Sequence, residues 1–395
     1  MKRMDVIVVG GGPSGLRAAG RLAASGLAVR VLERKPGVGA NVLCTGIVGR
    51  EVFEEFGLDR GSVLREIRTV RLVSPFSTVL TYEHPRPFAC VVDRERFDGA
   101  LAAAAVAAGA EVACGVRVDD VAVDGAGVRV SVRGPDGSPS RQAAAVAVLA
   151  TGVDFGLQKK LGLAVPRDFL NGAQVERADP GGDPTTLFFG RDVAPGAFAW
   201  SVPSGPGRAR IGLLTKADPK SRLERLLNSN FGGPSGLDGE TPIRTKPVAQ
   251  GLLAGTFGER VLTVGEAAGQ TKTTTGGGIS YGLACADLAA AAVRECFDRS
   301  SFAAADLAAY EKRWKALLKK EIVVGHTTRR MCARLSDGRV ESIFQLAATD
   351  GIVPIIREKA EFDWHSGLIF ALLHRLSFMK FFRDVKDRLG PLNLS

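Results

Sequence analysis

The chain has 395 residues, 45% apolar and 24% charged, which is enough for two or three packed units with a substantial core. Six cysteines without a CxxC pair and four scattered histidines speak against a disulfide framework and a metal site, and no run of about 18 apolar residues marks a membrane span. The net charge is +10, with half of the excess in residues 301–395, and it suits a membrane surface or a phosphorylated ligand as well as a plain basic protein.

Asp5 to Val9 is a β-branched run suited to a buried parallel strand. The apolar stretch is broken by three glycines and a proline, too soon for a signal peptide. Ser14 to Ser25 has helical spacing and stops at Gly26, and Ala28 to Leu32 is a second strand closed by Glu33. Between strand and helix lies Gly10-x-Gly12-Pro13-Ser14-Gly15. The first glycine permits a tight turn, the second lets a pyrophosphate approach the backbone, and the third lets the helix pack on the strand. The helix amides then face the phosphates, and Glu33 is placed to accept ribose hydroxyls.

Residues 34–50 are glycine-rich and irregular, and residues 68–92 alternate as antiparallel strands. Asp93 caps a helix that runs to Ala108 and stops at Gly109. Strands follow near 110–118 and 121–133. After the turn Gly134-Pro-Asp-Gly137, Val146 to Leu149 forms a short buried strand leading into Ala150-Thr151-Gly152. Residues 155–250 are punctuated by proline and glycine, with strands predicted at 172–178, 186–190, 197–203 and 208–214.

The buried parallel pattern returns at 261–264. It continues into Gly265-Glu266-Ala-Ala-Gly269, then Gly276-Gly277-Gly278-Ile279 and a helix to about 296. The remainder is mainly helical. Near the C-terminus, Phe378, Phe381, Phe382, Val385 and Leu389 share one helical face, read as an interfacial helix or, preferentially, as a helix packed on its own domain.

The predicted fold class is α/β. A discontinuous Rossmann-like FAD-binding domain (1–67, 93–154 and 251–300) holds an inserted antiparallel β-sheet substrate domain (68–92 and 155–250), and a helical C-terminal region (301–395) follows. A nicotinamide dehydrogenase would continue directly with βα units. A second glycine cluster returning after an inserted sheet resembles instead the flavoprotein superfamily of aromatic hydroxylases, flavin halogenases and prenyl reductases.

That resemblance implies roles residue by residue. Gly265 and Glu266 match the late Gly-Asp segment that contacts the ribityl or ribose hydroxyls, with Glu in place of Asp. Arg94 matches a cofactor-contacting arginine, and Gly152 closes a matching Ala-Thr-Gly turn. Arg34, Gly46 and Val118 join the expected cofactor contacts. No second GxGxxG serves NADPH, so NADPH docks transiently or an external reductant such as reduced ferredoxin supplies electrons.

Within the superfamily, the chain resembles the geranylgeranyl reductase family over nearly its full length. Cys44-Thr-Gly46-Ile sits where that family has a Cys-Gly segment beside the isoalloxazine. Phe198-Ala-Trp200-Ser-Val202-Pro203 resembles its aromatic-x-Trp-x-aromatic-Pro segment, and Lys272 to Ile279 its glycine loop, with Thr273 where proline is usual. The resemblance implies hydride transfer from reduced flavin to a C=C bond of a prenylated lipid or prenyl diphosphate. Cys44 would be catalytic or tune the flavin edge, and Phe198, Trp200 and Pro203 would line an apolar slot. The Gly276, Gly277 and Gly278 amides, with Ile279, would meet the flavin edge where charge develops. His365 is read as a head-group ligand or, preferentially, as a local capping residue. Nucleic acid is not an expected partner, and the expected location is cytoplasmic, with contact at the inner membrane face. Competing readings are a flavin monooxygenase or halogenase acting on an aromatic substrate, and a non-catalytic flavin-fold lipid-binding protein.

Overall fold

The computed structural model describes residues 4–178, 184–233, 241–349 and 352–374. The amphipathic stretch near the C-terminus lies outside them.

In chain order the first elements are β1 (Met4–Val9), α1 (Pro13–Ala24), β2 (Val29–Glu33), β3 (Ile47–Gly49) and α2 (Glu51–Glu55). Next come β4 (Val63–Ile67), β5 (Thr69–Val73), β6 (Val79–Glu83), β7 (Ala89–Val92) and α3 (Arg94–Ala107). The middle of the chain forms β8 (Glu111–Cys114), β9 (Arg117–Asp124), β10 (Gly127–Arg133), β11 (Pro139–Leu149) and α4 (Gly156–Lys160). It continues with β12 (Asp168–Ala178), β13 (Thr185–Phe188), β14 (Ala199–Gly205), β15 (Arg208–Thr215), α5 (Pro219–Asn230) and β16 (Arg244–Gln250). The last elements are β17 (Phe257–Gly258), β18 (Val261–Thr263), α6 (Ile279–Arg299), α7 (Ala304–Cys332), α8 (Asp337–Thr349), α9 (Ile352–Lys359) and α10 (Ser366–Leu373).

These elements divide into two compact units. One comprises 1–64, 90–169 and 247–323, the other 65–89, 170–246 and 324–395. The division differs from the domain boundaries expected from sequence. Residues 155–169 belong to the first unit because Gln158, fully buried, donates to the carbonyls of Ala164 and Ala267. The C-terminal helical region is split inside α7, whose first turns bond to the 255–270 segment through Tyr310, Glu311 and Trp314.

The first unit is built on an eight-stranded sheet of order β17-β18-β11-β1-β2-β8, with β9 and β10 as an antiparallel extension. β18, β11, β1, β2 and β8 run parallel. Val6, Ile7, Val8, Val29, Val31 and Val146 to Leu149 are buried because helices cover both faces of such a sheet. The stretch read as strands near 121–133 is a hairpin turning at Gly125-Ala126, and β11 starts well before Val146 because its first half pairs with β10. β7 leaves the antiparallel group expected at 68–92 and forms a three-stranded sheet, order β3-β7-β4. Its four residues are all buried, and Val92 donates to the Gly46 carbonyl.

α1 buries Leu16, Ala18, Ala19 and Leu22, and small residues let its neighbours come close. A Cβ on Gly20 would lie 3.3 Å from Ala105 Cα of α3. α3 starts where expected, with the Asp93 carboxylate accepting from the amides of Glu95 and Arg96.

The second unit carries a seven-stranded sheet of order β16-β12-β15-β14-β13-β5-β6. One face packs Ala173, Val175, Ala199, Ile211 and Leu213 against Leu223, Leu226 and Leu227 of α5.

Candidate functional site

In the first unit the site begins at the carboxyl ends of the parallel strands. β1 is followed by Gly10, whose φ of +109° and close backbone neighbour admit no side chain: a Cβ there would lie 2.3 Å from the Ala150 carbonyl oxygen. A Cβ on Gly15 would lie 2.0 Å from the Gly10 carbonyl oxygen. Gly12 is different, because nothing lies within 4 Å of its Cβ position. It is the N-cap of α1, with Pro13 in the first turn and no side chain capping the helix amides. Open space beside Gly12 and side-chain-free amides at a helix start are what a pyrophosphate needs.

Glu33 first serves the turn itself. Its Oε2 accepts from Gly11 N–H at 2.6 Å and its Oε1 from Lys35 N–H at 2.9 Å, and each oxygen keeps acceptor capacity for a ribose hydroxyl. Burial pushes the Lys35 ammonium below its ordinary value, against the pull of Glu33. Arg34 points elsewhere, into an exposed pair with Asp154 at 3.1 Å. Gly152 follows β11 with φ +63°. Val118 lies on β9 and packs against the hydrophobic cluster of the sheet.

The second glycine cluster meets the first at Ser14. A Cβ on Gly265 would lie 2.5 Å from Ser14 Oγ, and one on Gly282 only 2.2 Å from it. Both glycines therefore exist to seat the first turn of α1 against the start of α6. Arg17 reinforces the join with a bidentate pair to Asp287 at 2.7 and 2.8 Å. Residues 265–268 form a 3₁₀ turn, with Glu266 half-buried.

Buried polar groups hold this turn in place. Gly265 N–H donates to Gln270 Oε1 at 2.7 Å, Gln270 Nε2 to the Tyr310 hydroxyl at 2.8 Å, and that hydroxyl to the Thr263 carbonyl at 2.8 Å. Glu311 accepts from the amides of Gly255 and Thr256, and Trp314 Nε1 donates to Thr256 Oγ1. Gln158, Gln270 and Tyr310 escaped sequence reasoning because each bonds to a group at least 40 residues away in the chain, and no local pattern marks them. Tyr310→Phe is expected to lower stability by about 1–2 kcal/mol, since a buried amide loses its partner; chemical denaturation with unchanged m checks it.

Thr273, the departure from proline, has a structural reason. Its hydroxyl donates to the Ile322 carbonyl of α7 at 2.9 Å, while Thr271 Oγ1 donates to the Ala249 carbonyl at 2.7 Å. The loop closes when Lys272 N–H donates to the Gly277 carbonyl and Gly276 N–H to the Lys272 carbonyl, both at 2.7 Å. Gly276 takes φ +77°. Gly278 is the N-cap of α6, with Ile279 its first residue and no capping side chain.

Cys44 is half-buried, and its Sγ accepts from Gly46 N–H at 3.3 Å. Arg94 stands beside it, paired bidentately with Asp98 at 3.0 and 2.8 Å. Burial works against the guanidinium charge, but the Asp98 carboxylate and then Cys44 hold its pKa above the ordinary range. The protein contacts of Arg94 are thus with Asp98 and Cys44.

The second unit presents Trp200 on the sheet face away from α5. The register sets Leu80, Leu72, Leu187, Trp200, Gly212 and Gln174 in one row across six strands. The leucines are half-buried and apolar; Trp200 is 8% exposed. A Cβ on Gly212 would lie 2.6 Å from the Trp200 ring, so the indole lies flat over that glycine. Its Nε1 has no hydrogen-bond partner among the described residues. Phe198 flanks it, ring centroids 6.0 Å apart. Pro203 pairs with Ala209 and by alternation falls on the α5 face, so the structure does not bring it together with Trp200. Gly212→Ala is expected to tilt the indole and cost about 1–3 kcal/mol by overpacking; a shifted tryptophan emission and a lowered Tm check it. His365 serves locally, its Nε2 lying 2.9 Å from the Phe362 carbonyl oxygen.

Among the described residues no group of histidine, cysteine and acidic side chains is arranged to hold a metal, and no helix is long and apolar enough to cross a membrane. The phosphate turn, the braced Glu33 and the second glycine cluster at the carboxyl ends of one parallel sheet define an FAD-dependent oxidoreductase, and the residues present fit that cofactor.

Comparison with known proteins bears this out. Residues 3–167 match the FAD binding domain family. The chain is 30% identical over 358 residues to digeranylgeranylglycerophospholipid reductase 2 of Methanothermobacter thermautotrophicus, covering 87% of this chain and 91% of that one. It is likewise 30% identical to digeranylgeranylglycerophospholipid reductase of Methanosphaerula palustris, covering 86% and 88%. The chain belongs to this geranylgeranyl reductase family. Its fold is that of a geranylgeranyl bacteriochlorophyll reductase-like protein from Thermoplasma acidophilum, with a TM-score of 0.85 and 23% identity over 98% of this chain and 100% of that one.

Proposed function

We propose that this enzyme saturates C=C bonds in the prenyl chains of a membrane lipid of the digeranylgeranylglycerophospholipid type. The observation that carries the reading is the apolar row Leu80-Leu72-Leu187-Trp200, on a chain that belongs to the reductase family. Strands lie roughly 4.8 Å apart, so this row offers about 14 Å of continuous apolar surface to a hydrocarbon. The polar end, Gln174, follows beyond Gly212.

When bound and reduced, the flavin would supply the hydride for one carbon of the double bond. This chain holds the cofactor through the Gly10–Gly15 turn, Glu33 and the loop 265–278. Cys44 Sγ delivers the proton to the other carbon, with Arg94 and the Gly46 amide fixing its position. NADPH or reduced ferredoxin supplies the electrons. Half-exposed leucines and the basic balance of the chain support contact with the membrane face where such a lipid lies.

Cys44→Ala is expected to retain FAD while turnover of reduced flavin with lipid drops by about 10²-fold or more; stopped-flow reoxidation measures it. The reading itself is tested by anaerobic incubation of reduced enzyme with digeranylgeranylglycerophospholipid, followed by mass spectrometry. A gain of two hydrogens per double bond supports it. Unreacted lipid, together with aerobic hydroxylation of an aromatic compound, transfers the protein to the monooxygenase reading.

A further inference from the structure

We propose that Lys272 is a positioning residue for the flavin half of the cofactor and raises its reduction potential. The strand order β18-β11-β1-β2 sets the direction of the bound molecule. Glu33 ends β2, the phosphate turn follows β1, and the 265–278 segment follows β18 on the far side. An ADP ribose held at Glu33 and a pyrophosphate at Gly12 would leave the β18 side, about 10 Å from β1 across two strand spacings, for the flavin half. Ser14, wedged between Gly265 and Gly282, shows that this second segment directly adjoins the phosphate turn.

On that side lies a lysine that is only 6% exposed. Its neighbours Thr271 and Thr273 are pinned by hydroxyl hydrogen bonds to Ala249 and Ile322. Its own backbone closes the loop onto Gly276 and Gly277. The side chain doubles back over Gly277, whose Cβ position lies 2.8 Å from Lys272 Cε and 3.3 Å from Nζ. The loop thus buries the Lys272 ammonium against the Gly277 backbone and fixes its place on the β18 side of the sheet.

Taking up two electrons and one proton at N5, an isoalloxazine gains one negative charge, spread over N1 and the C2 carbonyl. A fixed cation nearby favours that form over the oxidised one. The proposal rests on FAD binding and not on the identity of the lipid.

The test is the two-electron midpoint of FAD-loaded protein, read by equilibration with reference dyes during anaerobic reduction. Lys272→Met is expected to weaken the reduced form at least tenfold relative to the oxidised one, about 30 mV for a two-electron couple. Lys272→Arg is expected to restore most of the shift. Lys272→Gln makes the same comparison if the methionine variant does not retain FAD. A flavin-loaded charge-deleted variant with an unchanged midpoint overturns the proposal. No lipid enters the measurement, so a failure of the prenyl-reductase reading leaves this result standing.

Discussion

Gly15→Ala is expected to yield protein that neither holds flavin nor folds with wild-type stability. The added Cβ would lie 2.0 Å from the Gly10 carbonyl oxygen and 3.0 Å from Ala150 Cβ, so backbone must move at the crossing of β1 and α1. Overpacking of this kind, against backbone and not a flexible side chain, costs about 3 kcal/mol or more. Gly12→Ala provides the contrast. Its Cβ meets nothing within 4 Å, so the apoprotein is expected to melt within about 0.5 kcal/mol of wild type. The same methyl group stands where the pyrophosphate must approach, and FAD affinity is expected to fall at least tenfold. Flavin-to-protein absorbance ratios together with melts of the apoproteins separate the two effects. If both variants lose stability equally, Gly12 does not border an open ligand path.

Arg94→Met is expected to destabilise the protein by about 3–5 kcal/mol, because it strands the Asp98 carboxylate, whose side chain is 2% exposed, without its bidentate partner. The double variant Arg94→Met with Asp98→Leu is expected to recover most of that loss, since removing both charges also removes the cost of burying them. Denaturant titration of the two single variants and the double variant measures the coupling. A double variant as unstable as Arg94→Met would show that Arg94 acts through packing and not through its charge.

The first βαβ unit was legible because its signals are local. Gly10, Gly12 and Gly15 occur at fixed spacing between a β-branched run and a helical one, and Glu33 closes the next strand. The strands at 172–178 and 208–214 were legible from alternation and turn residues, as was the Asp93 cap from the residue type before a helical run. Boundaries failed where pairing partners decided them. β11 is an eleven-residue strand, although only its second half shows the buried pattern, because β10 pairs with the first half. β7 left the sheet suggested by its neighbours because its burial is supplied by β3 and β4. Pro203 reads with Trp200 in sequence, yet strand alternation sends it to the opposite face.

Local chemistry by itself determined that the chain opens with a glycine-rich strand-turn-helix suited to a dinucleotide, and that a sheet interrupts the nucleotide fold. Each of those facts depends on a few adjacent residues whose φ angles and side-chain sizes are restricted. The tertiary structure alone decided why Gly265 and Gly282 are glycines, why Thr273 replaces proline, and that Arg94 answers to Asp98 and Cys44. It also decided that Lys272 is buried over Gly277 and that Leu80, Leu72, Leu187 and Trp200 form one row. Most of these depend on close approach between residues distant in the chain, and the fold of the Lys272 loop depends on anchors at Ala249 and Ile322. Such approach is set by packing and strand register, which no local pattern encodes.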